Sequence, residues 1–178
     1  MSALIFDTET TGIPLHPAAK DSVQPRIIEW GGVLIDDQGE VQYELHLLIN
    51  PGVRLPDEIT KITGISDSDL IDQFSFAQVA GQLRHVFASA DTLVAHNLPF
   101  DRKMMELELA RNDIQDWPWP RNNICTVQEH AEEWGYRPTL KKLYQWYFDK
   151  PLDQTHRALD DVYALAEIYK EMTSCSHN

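Results

Sequence analysis

The sequence is short of the residues that define several protein classes. Cysteine occurs only twice in 178 residues, as Cys125 and Cys175, which is too few for a disulfide framework and too widely spaced for a cysteine-rich zinc site. No apolar run approaches the roughly 20 residues that cross a bilayer, and the N-terminus lacks the basic and long apolar regions of a secretory signal. We therefore expect reduced thiols, no membrane association and a cytoplasmic location.

Positive charge is also scarce. The chain has 15 lysine and arginine residues against 28 aspartate and glutamate residues, which gives a formal net charge of −13 at pH 7. Proteins that hold long nucleic acids through phosphate contacts usually carry a basic surface. Either nucleic acid is not the ligand of this chain, or the protein contacts few phosphates and bound cations provide the attraction. The acidity does not choose between these alternatives.

The hydrophobic pattern is that of an α/β protein. Continuous or alternating apolar runs predict strands, and apolar residues at spacings of three and four predict helices. The predicted strands cover 3–7, 27–35, 41–49, 91–95 and 122–126, and the predicted helices cover 75–89, 99–111, 126–134, 139–147 and 158–173. This order predicts one domain over residues 1–178, with a mixed five-stranded sheet flanked by helices.

The first strand runs directly into two acids. Asp7 and Glu9 are separated by one residue, so their side chains point to the same side of a strand. Ligands of open α/β sheets bind at the carboxyl ends of the strands, and two carboxylates there form a site for a hard cation such as Mg²⁺ or Mn²⁺. The alternative is a strand that leaves the core through a polar turn.

Two further acids follow the same pattern. Asp101 lies in the first turn of a predicted helix, after the strand at 91–95, where an acid can also serve only as a partner of the helix dipole. Asp161 is in helical register with Leu165 and therefore faces inward, whereas its neighbour Asp160 faces solvent. A buried carboxylate needs a partner, and a cation shared with the first two acids would provide one.

His156 precedes Asp161 by five residues. Five helical residues turn through about 500°, so the two side chains converge only if the helix begins after His156 and leaves the histidine on a loop above the acids. A single histidine on a loop more often has no catalytic role. Its place beside the acids favours the catalytic interpretation.

The segments that carry these residues resemble a known family. FDTETTG, HNLPFD and HRALDD are similar, in order and separation, to the three exonuclease motifs of the DEDDh branch of the DnaQ-like 3′→5′ exonucleases. The segments RIIEWGGV, ITGIS and RPTLKKL extend the resemblance, which runs from the first strand to residue 173. The resemblance implies an RNase H-like fold and hydrolysis of phosphodiester bonds.

The resemblance also implies a catalytic centre. Asp7, Glu9, Asp101 and Asp161 would hold two divalent cations, with Mg²⁺ as the expected ion and Mn²⁺ as a substitute, and His156 would be the general base. Two such cations activate a water and stabilise the charge of an in-line displacement at phosphorus.

Substrate contacts are implied in the same way. The backbone of Thr10 would contact the terminal 3′-hydroxyl, and Asn97 and Phe100 would line the site near the scissile phosphate. Ile62 and Ile65 would stack against the terminal bases.

These residues imply removal of mononucleotides from single-stranded 3′ ends, with DNA as the favoured substrate. An RNA-trimming enzyme like oligoribonuclease or ribonuclease T, a proofreading subunit bound to a polymerase or other replication or repair partner, and a catalytically silent nucleic-acid-binding module are the alternatives. The sequence given ends seventeen residues after Asp161, which favours a free-standing enzyme over a subunit attached by a tail. The five catalytic residues argue against the silent module, and the oligomeric state stays open.

Several aromatic residues allow a second interpretation as base-stacking groups. The loop Trp117–Pro120, with the sequence WPWP, is a weak candidate for a partner or substrate contact. Trp134 and Trp146 occupy helical positions and are predicted to lie in the core. Lys141 and Lys142 are predicted to lie on a solvated helix face.

Overall fold

A computed structural model describes residues 2–175, and its elements match most of the predicted ones. The strands are β1 (Ala3–Thr10), β2 (Ile27–Ile35), β3 (Val41–Leu48), β4 (Thr92–Ala95) and β5 (Asn122–Cys125). The helices are α1 (Asp57–Thr63), α2 (Asp67–Leu70), α3 (Phe76–Ala88), α4 (Leu98–Arg111), α5 (Thr126–Trp134), α6 (Leu140–Phe148) and α7 (Ala158–Cys175). Cys125 is a buried free thiol, and the side chain of Cys175 lies outside the described part of the chain.

The sheet has five strands in the order β3-β2-β1-β4-β5. β1 pairs antiparallel with β2 and parallel with β4, and β5 continues the parallel half beside β4. This arrangement confirms the predicted mixed sheet. The predicted end of β1 at residue 7 is wrong, because the strand continues pairing with β2 as far as Thr10. The acids at positions 7 and 9 therefore lie on the strand itself.

Two hydrophobic cores cover the two faces of the sheet. Leu4 and Phe6 of β1 face a core that includes residues of α3 and α4. Ala3 and Ile5 face the opposite core, which includes residues of α6 and α7. Because side chains alternate along a strand, Asp7 continues the series of Ala3 and Ile5 and points toward the α7 side.

Three tryptophans of the sequence analysis have different environments. Trp117 and Trp119 are half-buried, and their rings meet Phe87 edge-on at 5.5 and 5.4 Å, so the WPWP loop covers the core beside α3. Trp146 is 55% exposed, so its predicted place in the core is wrong. It lies on α6, where its ring meets Trp134 and His130 of α5 edge-on at 5.6 and 6.0 Å and the rest of its surface faces solvent.

No helix among residues 2–175 is long and apolar enough to cross a membrane.

α7 crosses the sheet at close range where β2 carries a glycine. A Cβ added to Gly31 would lie 2.7 Å from the backbone nitrogen of Leu159 and 2.8 Å from the carbonyl carbon of Ala158. Both atoms belong to backbone that cannot rotate away, so only glycine allows the first turn of α7 to lie against β2.

The Gly31→Ala substitution should therefore destabilise the protein by roughly 1–3 kcal/mol, the usual cost of overpacking, as measured by chemical denaturation. Gly81→Ala is the matched control, because Gly81 lies within helix α3 and a Cβ there meets no heavy atom within 4 Å. That control should be stabilising by about 0.5–1 kcal/mol. Equal effects of the two substitutions would contradict the proposed close contact.

Candidate functional site

Four carboxylates meet at the end of β1 that leaves the core. Asp7 and Glu9 come from β1, Asp101 comes from the first turn of α4 and Asp161 from the first turn of α7. Burial raises the pKa of Asp7 well above its usual value, and the negative charges of Asp101, Glu9 and Asp161 raise it further. The structure therefore brings all four predicted acids into one cleft.

Asp101 is held by the strand that carries the first two acids. Its Oδ1 accepts hydrogen bonds from the backbone nitrogen of Thr8 at 3.1 Å and from the hydroxyl of Thr8 at 2.8 Å. Burial raises the pKa of Asp101 to about 7, although these two hydrogen bonds lower it. The carboxyl group is thus fixed in position and poorly solvated.

Glu9, Asp161 and His156 form the other side of the cleft. One ligand atom from each of the three lies within 4.8 Å of the others, a spacing suited to a shared metal ion. Burial raises the pKa of Glu9 to about 8, and Asp161 contributes the largest charge effect. Asp161 is buried, and its Oδ2 accepts a hydrogen bond of 2.8 Å from Gln154. Asp160 is exposed, so the predicted difference between the two neighbouring aspartates is confirmed.

His156 lies on the loop before α7, as the sequence predicts. The helix begins at Ala158, and His156 is exposed with a φ of 54°. A non-glycine residue in this left-handed region is uncommon and persists only where its surroundings hold it. Arg157 and Ala158, the next two residues, supply that restraint through their hydrogen bonds to Glu29.

Glu29 of β2 is the functional residue that the sequence analysis missed. It is fully buried, and its carboxylate accepts hydrogen bonds from the Arg157 guanidinium at 2.6 and 2.9 Å and from the Ala158 backbone nitrogen at 3.0 Å. His46 of β3 adds a contact of 2.6 Å. Burial alone would raise the pKa of Glu29, but these bonds outweigh it and lower the pKa. The signal in the sequence is a single acid within the otherwise apolar strand 27–35.

The predicted substrate contacts lie around the cleft. Thr10 ends β1 and its hydroxyl donates to the Gly12 carbonyl at 2.7 Å. Asn97 precedes α4, and its Oδ1 accepts a hydrogen bond of 2.8 Å from Arg137. Phe100 is half-buried and packs against the core beside α4. The roles given to these three residues stay predictions.

The predicted pair of base-stacking isoleucines is separated by the structure. Ile62 is 53% exposed, whereas Ile65 is 2% exposed and packs with Ile28, Leu55 and Leu70 in a small core of its own. Ile65 follows the left-handed Gly64, which ends α1 and turns the chain inward. The prediction that Ile65 stacks on a base is therefore wrong, and Ile62 alone remains available.

The Glu29→Gln substitution should lower the free energy of unfolding by roughly 2–3 kcal/mol. It removes a buried negative charge and leaves the Arg157 guanidinium and the Ala158 N–H without a carboxylate acceptor. Denaturant titration checks this. Glu40→Gln is the matched control: Glu40 forms an exposed ion pair with Lys170 at 3.6 Å, and such pairs contribute little. A Glu29 variant as stable as the control would show that the carboxylate does not anchor α7.

The raised pKa values predict a pH-dependent stability of the metal-free protein. An acid whose pKa is higher in the folded state stabilises folding at low pH, and this contribution is lost as the pH rises through the folded pKa. For Glu9 the loss falls between its ordinary pKa of 4.5 and its folded-state pKa of about 8. In the presence of EDTA at pH 8, Asp7→Asn should therefore raise the free energy of unfolding by at least about 1 kcal/mol, roughly the value of one pKa unit.

The gain from Asp7→Asn should shrink on acidification, because the remaining acids then bind protons. Asp160→Asn is the control. Asp160 is exposed and accepts a hydrogen bond from the hydroxyl of Thr155 outside the cleft, so this variant should show no such gain. An Asp7→Asn protein less stable than wild type at pH 8 would contradict the repulsion between the four acids.

Comparison with known proteins shows which family shares this arrangement. A sequence profile of the family described as exonuclease matches residues 4–169. DNA polymerase III subunit epsilon of Rickettsia typhi is 32% identical over 174 residues, which cover 96% of this chain and 73% of that protein. The same subunit of Escherichia coli K12 is 32% identical over 178 residues, with coverages of 96% and 70%.

Solved structures share the fold. The nuclease domain of 3′hExo, a DEDDh family member bound to rAMP, superposes with a TM-score of 0.79 at 17% identity, over 98% of this chain and 92% of that chain. Exonuclease X in complex with 5′ overhanging duplex DNA gives a TM-score of 0.72 at 22% identity, with coverages of 99% and 93%. These likenesses confirm the RNase H-like fold. With the profile over most of its length and relatives at 32% identity, the chain belongs to the DnaQ-like 3′→5′ exonucleases and is a nuclease.

Proposed function

We propose that this protein hydrolyses phosphodiester bonds at single-stranded DNA 3′ ends and releases nucleoside monophosphates. The observation that carries the proposal is the convergence of Asp7, Glu9, Asp101 and Asp161 with His156 at the mouth of their cleft. Relatives that are subunits of a DNA polymerase support DNA as the substrate. The structural neighbour bound to rAMP is only 17% identical, so it does not support RNA.

The donor set fits divalent cations. Four carboxylates offer oxygen ligands of the kind that Mg²⁺ and Mn²⁺ prefer. Burial and then mutual repulsion raise the pKa values of Asp7 and Glu9, and bound cations would relieve that repulsion. Asp7, Glu9, Asp101 and Asp161 would hold the two ions, with Glu9 and Asp161 on the side of the cleft that also carries His156. When bound, such a pair lowers the pKa of water and offsets charge on the phosphate.

His156 is the proposed general base. It is exposed at the edge of the cleft and lies close enough to Glu9 and Asp161 to share a small polar space with them. An imidazole in this position would accept the proton of the attacking water and release it to solvent. The left-handed backbone at His156, fixed by the anchoring of Arg157 and Ala158, would hold the ring over the acids in the productive orientation.

The terminal nucleotide is proposed to lie between the end of β1 and the start of α4. The backbone of Thr10 would contact the 3′-hydroxyl, and Asn97 and Phe100 would line the space near the scissile phosphate. Asn97 is oriented by Arg137, which leaves its amide nitrogen free of that contact and able to donate to a phosphate oxygen.

A proofreading subunit is the second candidate. The relatives at 32% identity are polymerase III epsilon subunits, whereas the sequence analysis favoured a free-standing enzyme. The same chemistry would serve both, and a partner polymerase would present the 3′ end. Co-purification with a polymerase catalytic subunit distinguishes the two candidates.

The test of the activity is a time course on 5′-labelled single-stranded DNA and on RNA of equal length. With Mg²⁺ we expect the label to shorten stepwise from the 3′ end, with mononucleotide as the product and DNA degraded faster than RNA. EDTA should abolish the reaction. Activity that persists in EDTA, or shortening from the 5′ end, would overturn the proposal, and binding without release would identify a silent module.

His156→Ala should lower kcat by roughly 10²–10⁴-fold, the usual contribution of a general base, with KM almost unchanged. His85→Ala is the matched control, because His85 is an exposed histidine near the end of α3 and should behave as wild type. Equal kcat values for the two variants would remove His156 from the mechanism.

A further inference from the structure

The segment 134–148 has a composition unlike the rest of the chain. It contains three of the 15 basic residues, Arg137, Lys141 and Lys142, and none of the 28 acidic residues. It also contains six aromatic residues. In a protein with a net charge of −13, this segment is a local exception in which basic residues lie between aromatic ones without any acid.

Three of these aromatic rings form a contiguous group, which we call the aromatic platform: the partly buried Trp134, which packs against the core, and the exposed Tyr136 and Trp146. Trp134 lies between the other two, with ring centroids 5.7 Å from Tyr136 and 5.6 Å from Trp146. Tyr136 is 49% exposed and Trp146 is 55% exposed. Exposed aromatic groups of this size are unfavourable in water unless they serve a contact.

The platform has a rigid base. His130 of α5 is buried, and its ring contacts Trp134 and Trp146 edge-on with centroid separations of 6.0 Å. Its Nε2 lies 2.8 Å from the hydroxyl of Tyr147, and its Nδ1 lies 2.8 Å from the Thr126 carbonyl oxygen. The contact with Thr126 lies within α5 and orients the His130 ring, and the contact with Tyr147 joins α5 to α6. The rings above them are therefore held in place, so little side-chain entropy remains to be lost on binding.

The platform borders the catalytic cleft. Arg137, next to Tyr136, donates to Asn97 at 2.8 Å, and Asn97 lies four residues before Asp101. The connection between α5 and α6 is thus bound directly to the corner between β4 and α4, one helical turn from a catalytic acid.

The basic side chains around the aromatic platform indicate which kind of ligand this surface fits. Lys142 lies over the Tyr136 ring at 5.2 Å, Lys141 is exposed, and Arg137 closes the side toward the cleft. The nearest acids along the chain, Glu133 and Asp149, flank the segment without interrupting it. Flat aromatic faces among cations are complementary to stacked bases and phosphates, whereas a hydrophobic protein interface is usually depleted of lysine.

We infer that the aromatic platform binds the substrate strand upstream of its 3′ end. Bases would stack on Trp146 and Tyr136, and the adjoining phosphates would lie near Lys142 and Arg137. This inference rests on the proposed function and specifies a binding surface for the same substrate. It accounts for the exposure of Trp146, which the acid cleft does not use.

Steady-state kinetics on a thymidine dinucleotide and a decanucleotide tests the inference, because only the longer strand reaches the platform. Trp146→Ala should raise the ratio of the decanucleotide KM to the dinucleotide KM by at least about fivefold, the usual loss for one stacking contact. Tyr43→Ala is the matched control, since Tyr43 is 46% exposed on β3 at the edge of the sheet opposite β5. Its ratio should equal that of wild type.

A second variant keeps the inference testable if Trp146→Ala does not fold. Lys141→Gln with Lys142→Gln should reduce the slope of log KM against log salt for the decanucleotide by about one to two. An unchanged KM ratio or an unchanged slope in variants that still degrade both substrates would overturn this inference alone, as expected if the platform served a protein partner. A wild-type protein that degrades neither substrate would overturn the proposed function as well.

Discussion

The contact on which the site depends is the buried carboxylate of Glu29. It joins β2 to the start of α7 across 128 residues of sequence, by binding the side chain of Arg157 and the backbone nitrogen of Ala158. The last acid and the histidine of the site both lie within four residues of this anchor. Residues close to α7 in the sequence do not by themselves fix the position of the helix along the sheet at which Asp161 faces β1. Gly31, two residues along the same strand, allows the close approach that the contact requires.

The cleft itself opposes folding. Four acids share a poorly solvated space. Burial raises the pKa values of Asp7, Glu9 and Asp101, and the charges of the neighbouring acids raise those of Asp7 and Glu9 further. The surrounding structure must therefore supply the stability that the site lacks. Two continuous cores on either side of β1 do so, and β1 is the central strand of the sheet. A catalytic group built at a sheet edge would have had no such support.

The sequence predicted the local features well. Apolar periodicity located every strand and every long helix, and helical register distinguished Asp161 from Asp160. The position of His156 on a loop followed from the rotation of a helix over five residues. Each of these inferences uses only neighbouring residues, and for those the spacing of side chains along an element is sufficient.

The features that the sequence did not predict depend on distant contacts. Glu29 looked like one more residue of an apolar strand, because its partners Arg157 and Ala158 lie more than a hundred residues away. The helical position of Trp146 predicts a place in the core, and the structure instead leaves it 55% exposed three residues after the buried Leu143. Periodicity shows which face of α6 is apolar, but not whether another element covers all of it.

The acid cleft and the aromatic platform together explain how a protein of negative net charge would bind a nucleic acid strand. A cleft of carboxylates is needed to hold cations, yet it repels the phosphates of the strand whenever those cations are absent. Affinity gained from many phosphate contacts would need a broad basic surface, and that surface would compete with the metal ions for the acids. Stacking on aromatic rings supplies affinity without a charge, so it can be placed beside an acidic site at no electrostatic cost. A few basic side chains next to the rings would then suffice to orient the phosphate backbone of the strand. The net charge of −13 is compatible with the proposed binding of nucleic acid, because the strand would be held by its bases and cleaved at its phosphate.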